Sequence, residues 1–386
     1  MKRNGHKNKG KMALILAAVM LPIVISLIVS ILPPVFTRAA MLSAALTMPE
    51  GSIKALEERF KDIIEVQRPN GDESVQAERE NNPISGPAWE WPQLPRSSQN
   101  NTNNFYIPDE SEIVNPEIPE EHKGPRIMED MSGYEGGPYF KWNNMWLRNY
   151  TDYTYDDLSA ILETEMKIKL EDTDKPQVLI YHTHATESYC PYEGGQYDKR
   201  YNWRSTDNNI NMVSIGAQVT QTLRENGIGV IHDTEQHDYP SYDGSYASSH
   251  DSIKRYLEEY PTIKVTLDLH RDAIERNGGL IVDPSIEIDG ERYAQLMIIS
   301  NCDDGSGLIP EWRENLRFAA ALNDTLEKNN KGITRPILFS HRKYNQQLST
   351  GALLLEFGSH ASTVKAAKNT AVLVGEALAE LLKSTV

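Results

Sequence analysis

The sequence has little cysteine: two residues, Cys190 and Cys302, and no C-x-x-C pair. A zinc site built from paired thiolates is thereby excluded. One disulfide between the two is conceivable outside the cytoplasm, but two separate thiols is the plainer expectation. Basic residues are also in deficit, 39 Lys and Arg against 55 Asp and Glu, for a formal net charge of −16. Phosphate backbones are bound by basic surfaces, so nucleic acid is excluded as an expected partner. No G-x-S-x-G elbow occurs, and Ser188 follows Glu187 without flanking glycines, which counts against a Ser/His/Asp hydrolase. No internal repeat is found.

One long apolar run is present. Residues 12–32, MALILAAVMLPIVISLIVSIL, carry no charge. A helix of that length, rising ~1.5 Å per residue, spans the ~30 Å hydrocarbon core of a membrane. Pro22 would kink it, which membrane helices tolerate. Lys2, Arg3, Lys7, Lys9 and Lys11 precede it, so residues 1–11 are expected in the cytoplasm and the rest of the chain outside. A cleaved signal peptide, with small residues in TRAAM at 37–41, is the competing expectation. The run exceeds the ~7–15 residues of a signal core, which favours an uncleaved single-pass anchor.

Residues 33–126 read as a spacer and linker. A helical spacing of apolar residues over 39–66 gives way at 67 to Pro, Asn, Ser, Glu and Gly with few aliphatics. Such a stretch cannot bury enough apolar surface to offset its ordering entropy. Residues 127–386 are the expected catalytic domain. Aromatics cluster at its start, from Tyr139 to Tyr155, as a packed cap. From 175 onward apolar strands and helical patterns alternate, which predicts an α/β fold with a mostly parallel sheet flanked by helices. An Asp289-Gly290 pair between two apolar runs predicts a hairpin. In such sheets active sites gather at the carboxyl ends of strands.

Three strand ends carry ionisable groups. VLIYHTHATESY offers His182, His184 and Glu187; TLDLHRDA offers Asp268, His270, Arg271 and Asp272; ALLLEFGSH offers Glu356 and His360. His182 and His184, two apart, would share one face of a strand and converge on a metal. Zinc favours imidazole and carboxylate ligands, and a catalytic zinc keeps one position for water. A nearby carboxylate can then act as general base. Each residue has a plainer reading: a hydrogen-bonded surface His, or a Glu buried beside an arginine.

Six segments, YHTHATESY (181–189), DLHRDA (268–273), YAQLMII (293–299), EWRENL (311–316), YNQQLS (344–349) and LLLEFGS (353–359), resemble the stage II sporulation protein P family. The resemblance spans roughly 175 to the C-terminus, in the right order. It implies an α/β fold related to zinc-dependent N-acetylmuramoyl-L-alanine amidases, with one Zn2+. It implies cleavage of the bond between muramic acid and the stem peptide, with endopeptidase activity on the stem, during engulfment of the forespore. The implied partners are peptidoglycan and membrane proteins of the same sporulation stage, one a lytic transglycosylase.

On that pattern His270 matches the second metal histidine and Glu356 the catalytic glutamate. The first histidine falls on His184 or His182. The metal carboxylate opens the first helix in the amidases, where this sequence has Asn208, Asn209 and Asn211, so Glu187 is the nearest replacement. Arg271 is the candidate for an oxyanion or a substrate carboxylate, with a buried pairing to Asp268 or Asp272 as the alternative. After Glu356 the sequence HAST at 360–363 departs from the family's Asn-Thr pair. A non-catalytic wall-binding scaffold and a metal peptidase on another extracellular substrate are the alternative functions.

Overall fold

A computed structural model describes residues 118–134 and 136–385. The apolar run at 12–32 and most of the expected linker lie outside them. Among the described residues no helix is long and apolar enough to cross a membrane. The chain forms β1 (Lys123–Glu129), which straddles the expected boundary at 126, then β2 (Tyr139–Trp142), β3 (Met145–Asn149) and α1 (Tyr155–Leu162). β4 (Val178–Tyr181), β5 (Gln196–Asp198), α2 (Met212–Glu225), β6 (Val230–His232) and α3 (Ser245–Glu259) follow. Next come β7 (Val265–Asp272), β8 (Glu275–Arg276), β9 (Leu280–Ile288), β10 (Glu291–Ala294) and β11 (Leu296–Asn301). The chain closes with α4 (Trp312–Asn329), β12 (Ile337–Ser340), β13 (Ala352–Ser359) and α5 (Val364–Lys383).

The strands make two sheets. The larger runs β2-β3-β12-β11-β13-β7-β4-β6. It is mixed, which corrects the expectation of a mostly parallel sheet: β2–β3 and β11–β13 pair antiparallel. The reversal at β11 has a local cause. Asp289 and Gly290, at φ +53° and +84°, turn β9 back on itself as β10 in a two-residue loop. The apolar run at 293–300 then divides at Gln295, so β10 stays in the smaller sheet and β11 enters the larger one running against β13. The Gln295 amide fixes that division by donating to Asp130 Oδ1 at 2.8 Å and to the Gly332 carbonyl at 2.7 Å. The smaller sheet, β10-β9-β1-β5 with β8 on β9, is also mixed: β1 lies parallel to β9 and antiparallel to β5. The aromatic segment after 137 is the edge of the larger sheet; Phe140, Trp142 and Tyr153 pack on its core.

Alternation along the central strands sorts their side chains. Val178 and Ile180, Val265, Leu267 and Leu269, and Leu353, Leu355 and Phe357 face α2, α4 and α5 in the main core. Leu179 and Tyr181 face the other way and pack with Ile253 of α3. Leu354 does the same beside Met297 and Ile299. By the same parity Asp268, His270 and Glu356 stand on the face away from the main core, and it is there that the ionisable groups gather.

Candidate metal centre

His184, Glu187 and His270 bring one ligand atom each to within 4.8 Å of one another, all three buried. His270 is the sixth residue of β7, on the second face of the sheet. His184 and Glu187 come from the turn that follows β4. The strand stops at Tyr181 and the chain coils over residues 183–186, which breaks the alternation and swings His184 to the His270 side. Glu187 Oε1 lies 3.6 Å from His184 Nδ1, and Oε2 lies 3.6 Å from His270 Nδ1. Two ligands bound ~2.0–2.1 Å from a tetrahedral ion are about 3.4 Å apart, so this spacing and donor set fit zinc.

His182 does not join them. It keeps the strand's alternation and follows Ile180 to the α2 face, so the expectation that His182 and His184 share a face is corrected. Its Nδ1–H donates to the Leu269 carbonyl at 3.2 Å, leaving Nε2 to accept from His232 Nε2–H at 2.8 Å. Both rings nest against Gly216 of α2, where a Cβ would come within 2.5 Å of each Nε2. Burial holds His182 down to about 4 and His232 well below the ordinary histidine range, so this pair is neutral.

The surroundings orient the three donors. Asp268 Oδ1 lies 2.9 Å from His270 Nε2, the ring nitrogen turned away from Glu187. Asp268 is itself fixed by Thr183, whose amide and hydroxyl donate to it at 2.9 and 2.7 Å. A carboxylate behind a ligating imidazole sets its tautomer and raises its basicity. Burial opposes a proton on His270, but Asp268 and Glu187 outweigh it and raise its pKa well above the ordinary value. Burial likewise raises Glu187, and Arg271 with His184 and His270 more than reverses this, so its carboxyl stays ionised well below the usual range. His184 is bracketed by Tyr242, stacked with ring centres 4.6 Å apart, and Tyr246, edge-on at 5.4 Å. The spacing D-L-H marks Asp268 as sharing the face of His270; the two tyrosines carry no such signal.

Glu187, the carboxylate of this cluster, lies beside the start of α2, a helix whose own first turn carries no acidic residue. Its carbonyl accepts from the Met212 amide at 3.0 Å, which puts the turn against the first residue of α2. Asn211 there serves as the helix cap, accepting from the Val213 amide at 2.9 Å. Arg271 is not aimed at the site. It donates to the carbonyls of Ser188 at 3.0 Å, Trp203 at 2.9 Å and Asp272 at 3.4 Å. Its guanidinium thus ties down the 188–203 segment, and the expected pairing with Asp268 or Asp272 side chains is not made; Asp272 pairs instead with Arg335 at 2.6 Å. Cys190 and Cys302 are separate, buried free thiols.

Glu356 is the neighbour of His270 across the parallel β7–β13 pair and is 1 % exposed. Immediately after it the register breaks, with Gly358 at φ +66°. A side chain at 358 would collide with Ser362 and Ala294, so the bulge requires glycine there.

The family model of Stage II sporulation protein P matches residues 70–379. The chain belongs to that family. Stage II sporulation protein P of Bacillus subtilis (strain 168) is 27% identical over 219 residues, 54% of this chain and 51% of the relative, so the match spans about half the relative's length. Among solved structures, the chain is similar to the N-acetylmuramoyl-L-alanine amidase AmiC2 of Nostoc punctiforme, at 12% identity and a TM-score of 0.31, over 55% of this chain and 98% of that one. It is also similar to the CwlD amidase of Clostridioides difficile in complex with the GerS lipoprotein, at 10% identity and a TM-score of 0.33, over 54% and 99%.

Proposed function

We propose that this member of the family is a zinc-dependent peptidoglycan hydrolase that cuts the muramoyl-L-alanine amide, with endopeptidase action on the stem, during engulfment in sporulation. The observation that carries the reading is the convergence of His184, Glu187 and His270 beside Glu356. His184 and His270 would hold the metal through imidazole nitrogen and Glu187 through a carboxylate oxygen. Zinc, when bound, supplies a Lewis acid and brings the ionisation of water toward neutral pH.

The chain's own residues do the rest. Asp268, 2.9 Å from His270 Nε2, places a negative charge behind the ring and keeps it a good donor. Glu356 takes the proton from the attacking water and later returns it to the leaving amine. Hydroxyl then ends on the carbonyl carbon and the proton on nitrogen as the C–N bond breaks. Arg271 positions Glu187 and the 188–203 segment without touching the substrate. We further propose that residues 12–32 anchor the chain in the membrane with the catalytic part outside, where peptidoglycan and the other stage II membrane proteins, including a lytic transglycosylase, are reached.

The test is digestion of purified peptidoglycan by the full chain in detergent, with and without a chelator. Chelator-sensitive release of stem peptides with free L-alanine amino termini supports the reading. Wall binding without release would make the chain a scaffold, and release insensitive to chelation would remove the metal.

A further inference from the structure

A second group of ligating side chains lies just past β6. Asp233, Glu235 and His237 lie two residues apart in the irregular segment that leads from β6 into a turn, and their ligand atoms also lie within 4.8 Å of one another. None belongs to the centre described above.

Two atoms in this group are buried and make no hydrogen bond: Asp233 Oδ2 and His237 Nε2. They face each other at 3.5 Å, on side chains 6 % and 0 % exposed. The rest of each side chain is committed. Asp233 Oδ1 accepts from the Glu235 amide at 3.1 Å, and His237 Nδ1 lies 2.8 Å from Ser248 Oγ on α3. Donation of Nδ1–H to that hydroxyl leaves the Nε2 lone pair directed at Asp233. Two ligand atoms ~2.1 Å from one ion are separated by about 3.4 Å at a tetrahedral angle, which matches the gap. Glu235 takes Ser252 Oγ on one oxygen at 3.4 Å and is otherwise exposed, so water would complete the coordination.

We propose that Asp233, Glu235 and His237 form a second divalent-cation site. One imidazole and two carboxylates suit a first-row ion such as Zn2+ or Mn2+. Its place in the fold gives it a bracing role. The next residue, Asp238, is fully buried and accepts from Thr186 Oγ at 2.6 Å and from Arg204 at 2.7 Å. Another Arg204 nitrogen stands 3.6 Å from Glu187 Oε1. A cation at 233–237 fixes the segment that holds these groups against the first centre.

The experiment is metal analysis of the full chain in detergent, stripped by chelator and reloaded with Zn2+ or Mn2+ alone. Two equivalents per chain are expected. His237→Ala should lose one and keep the one that His270→Ala removes. Wild-type protein with a single equivalent that survives His237→Ala overturns the second site. A single equivalent lost in His237→Ala but kept in His270→Ala upholds it while removing the first. Should His237→Ala fail to fold, Glu235→Gln, altered at an exposed side chain, is expected to weaken one equivalent at least tenfold in competition with a chromophoric chelator. Unchanged affinity of both equivalents there overturns the proposal.

Discussion

Glu356 and His270 are paired residues of adjacent parallel strands, so their side chains leave the sheet side by side on the face away from the main core. A carboxylate placed this way is fixed by backbone hydrogen bonds rather than by a loop. Replacing Glu356 by Gln keeps its size and removes its basicity. Hydrolysis of peptidoglycan should fall by ~10²–10⁴-fold, the usual worth of general acid–base catalysis. Metal content and melting temperature should stay near wild type. Full activity in Glu356→Gln would remove the residue from the mechanism.

The two histidines of the H-T-H segment should behave differently. His184→Ala is expected to abolish metal binding at the His270 centre, and His182→Ala to retain it with reduced stability. Asp268→Asn should weaken that centre by ~10–100-fold, the usual effect of losing a carboxylate behind a ligating imidazole. Chelator competition on the three variants measures this; equal losses for His182→Ala and His184→Ala would contradict the assignment.

Gly216 offers a test that does not involve the metal. In an ordinary helix interior Gly→Ala gains about 1 kcal/mol. Here the added methyl meets the Nε2 atoms of His182, which is buried, and His232, which is half-buried, both in rigid rings. Gly216→Ala should therefore lower the melting temperature, and a rise would show that the pair can move aside.

Stability should decline in acid through His360. Burial, and the neighbouring Arg271, push this residue down to about 3. Unfolded, it titrates near 6.5. The unfolded state therefore binds more protons between those values, and stability present above ~6.5 is lost as the pH falls toward 3. The full window corresponds to on the order of 5 kcal/mol. His360→Gln cannot titrate, so its stability relative to wild type should improve from pH 8 to pH 4. Denaturant melts at the two pH values decide it; a difference independent of pH would contradict it.

Apart from the short strands β5 and β8, which no apolar run marks, the order of elements from β4 to α5 was legible because apolar runs, turn residues and helix caps agree there. Asp289-Gly290 identified its hairpin from backbone chemistry alone. The mixed sheets were not legible, because whether one apolar run serves one sheet or two depends on Gln295 and its distant partners Asp130 and Gly332. β1 was hidden for a similar reason: its pairing with β5 and β9 is entirely long-range, and its sequence is polar. At the centre, His270 and Glu356 could be read from strand ends. The choice between His182 and His184 could not, since it turns on where β4 stops. Arg271 looked chemical in sequence, but its partners are backbone carbonyls, which leave no trace in side-chain patterning.

β1 carries a mechanical consequence. Its first half bonds to β5 and its second to β9, so the strand is held by one partner and then the other along its length. A tug on the chain upstream of Lys123, directed along the strand, loads both ladders in shear, and the bonds share the force instead of parting one at a time. Arg126, whose guanidinium donates to Asp283 at 2.8 Å and to the Tyr192 carbonyl at 2.7 Å, rivets the middle of that joint. The catalytic part is thereby fastened to whatever lies upstream by a lap joint rather than by a peelable edge.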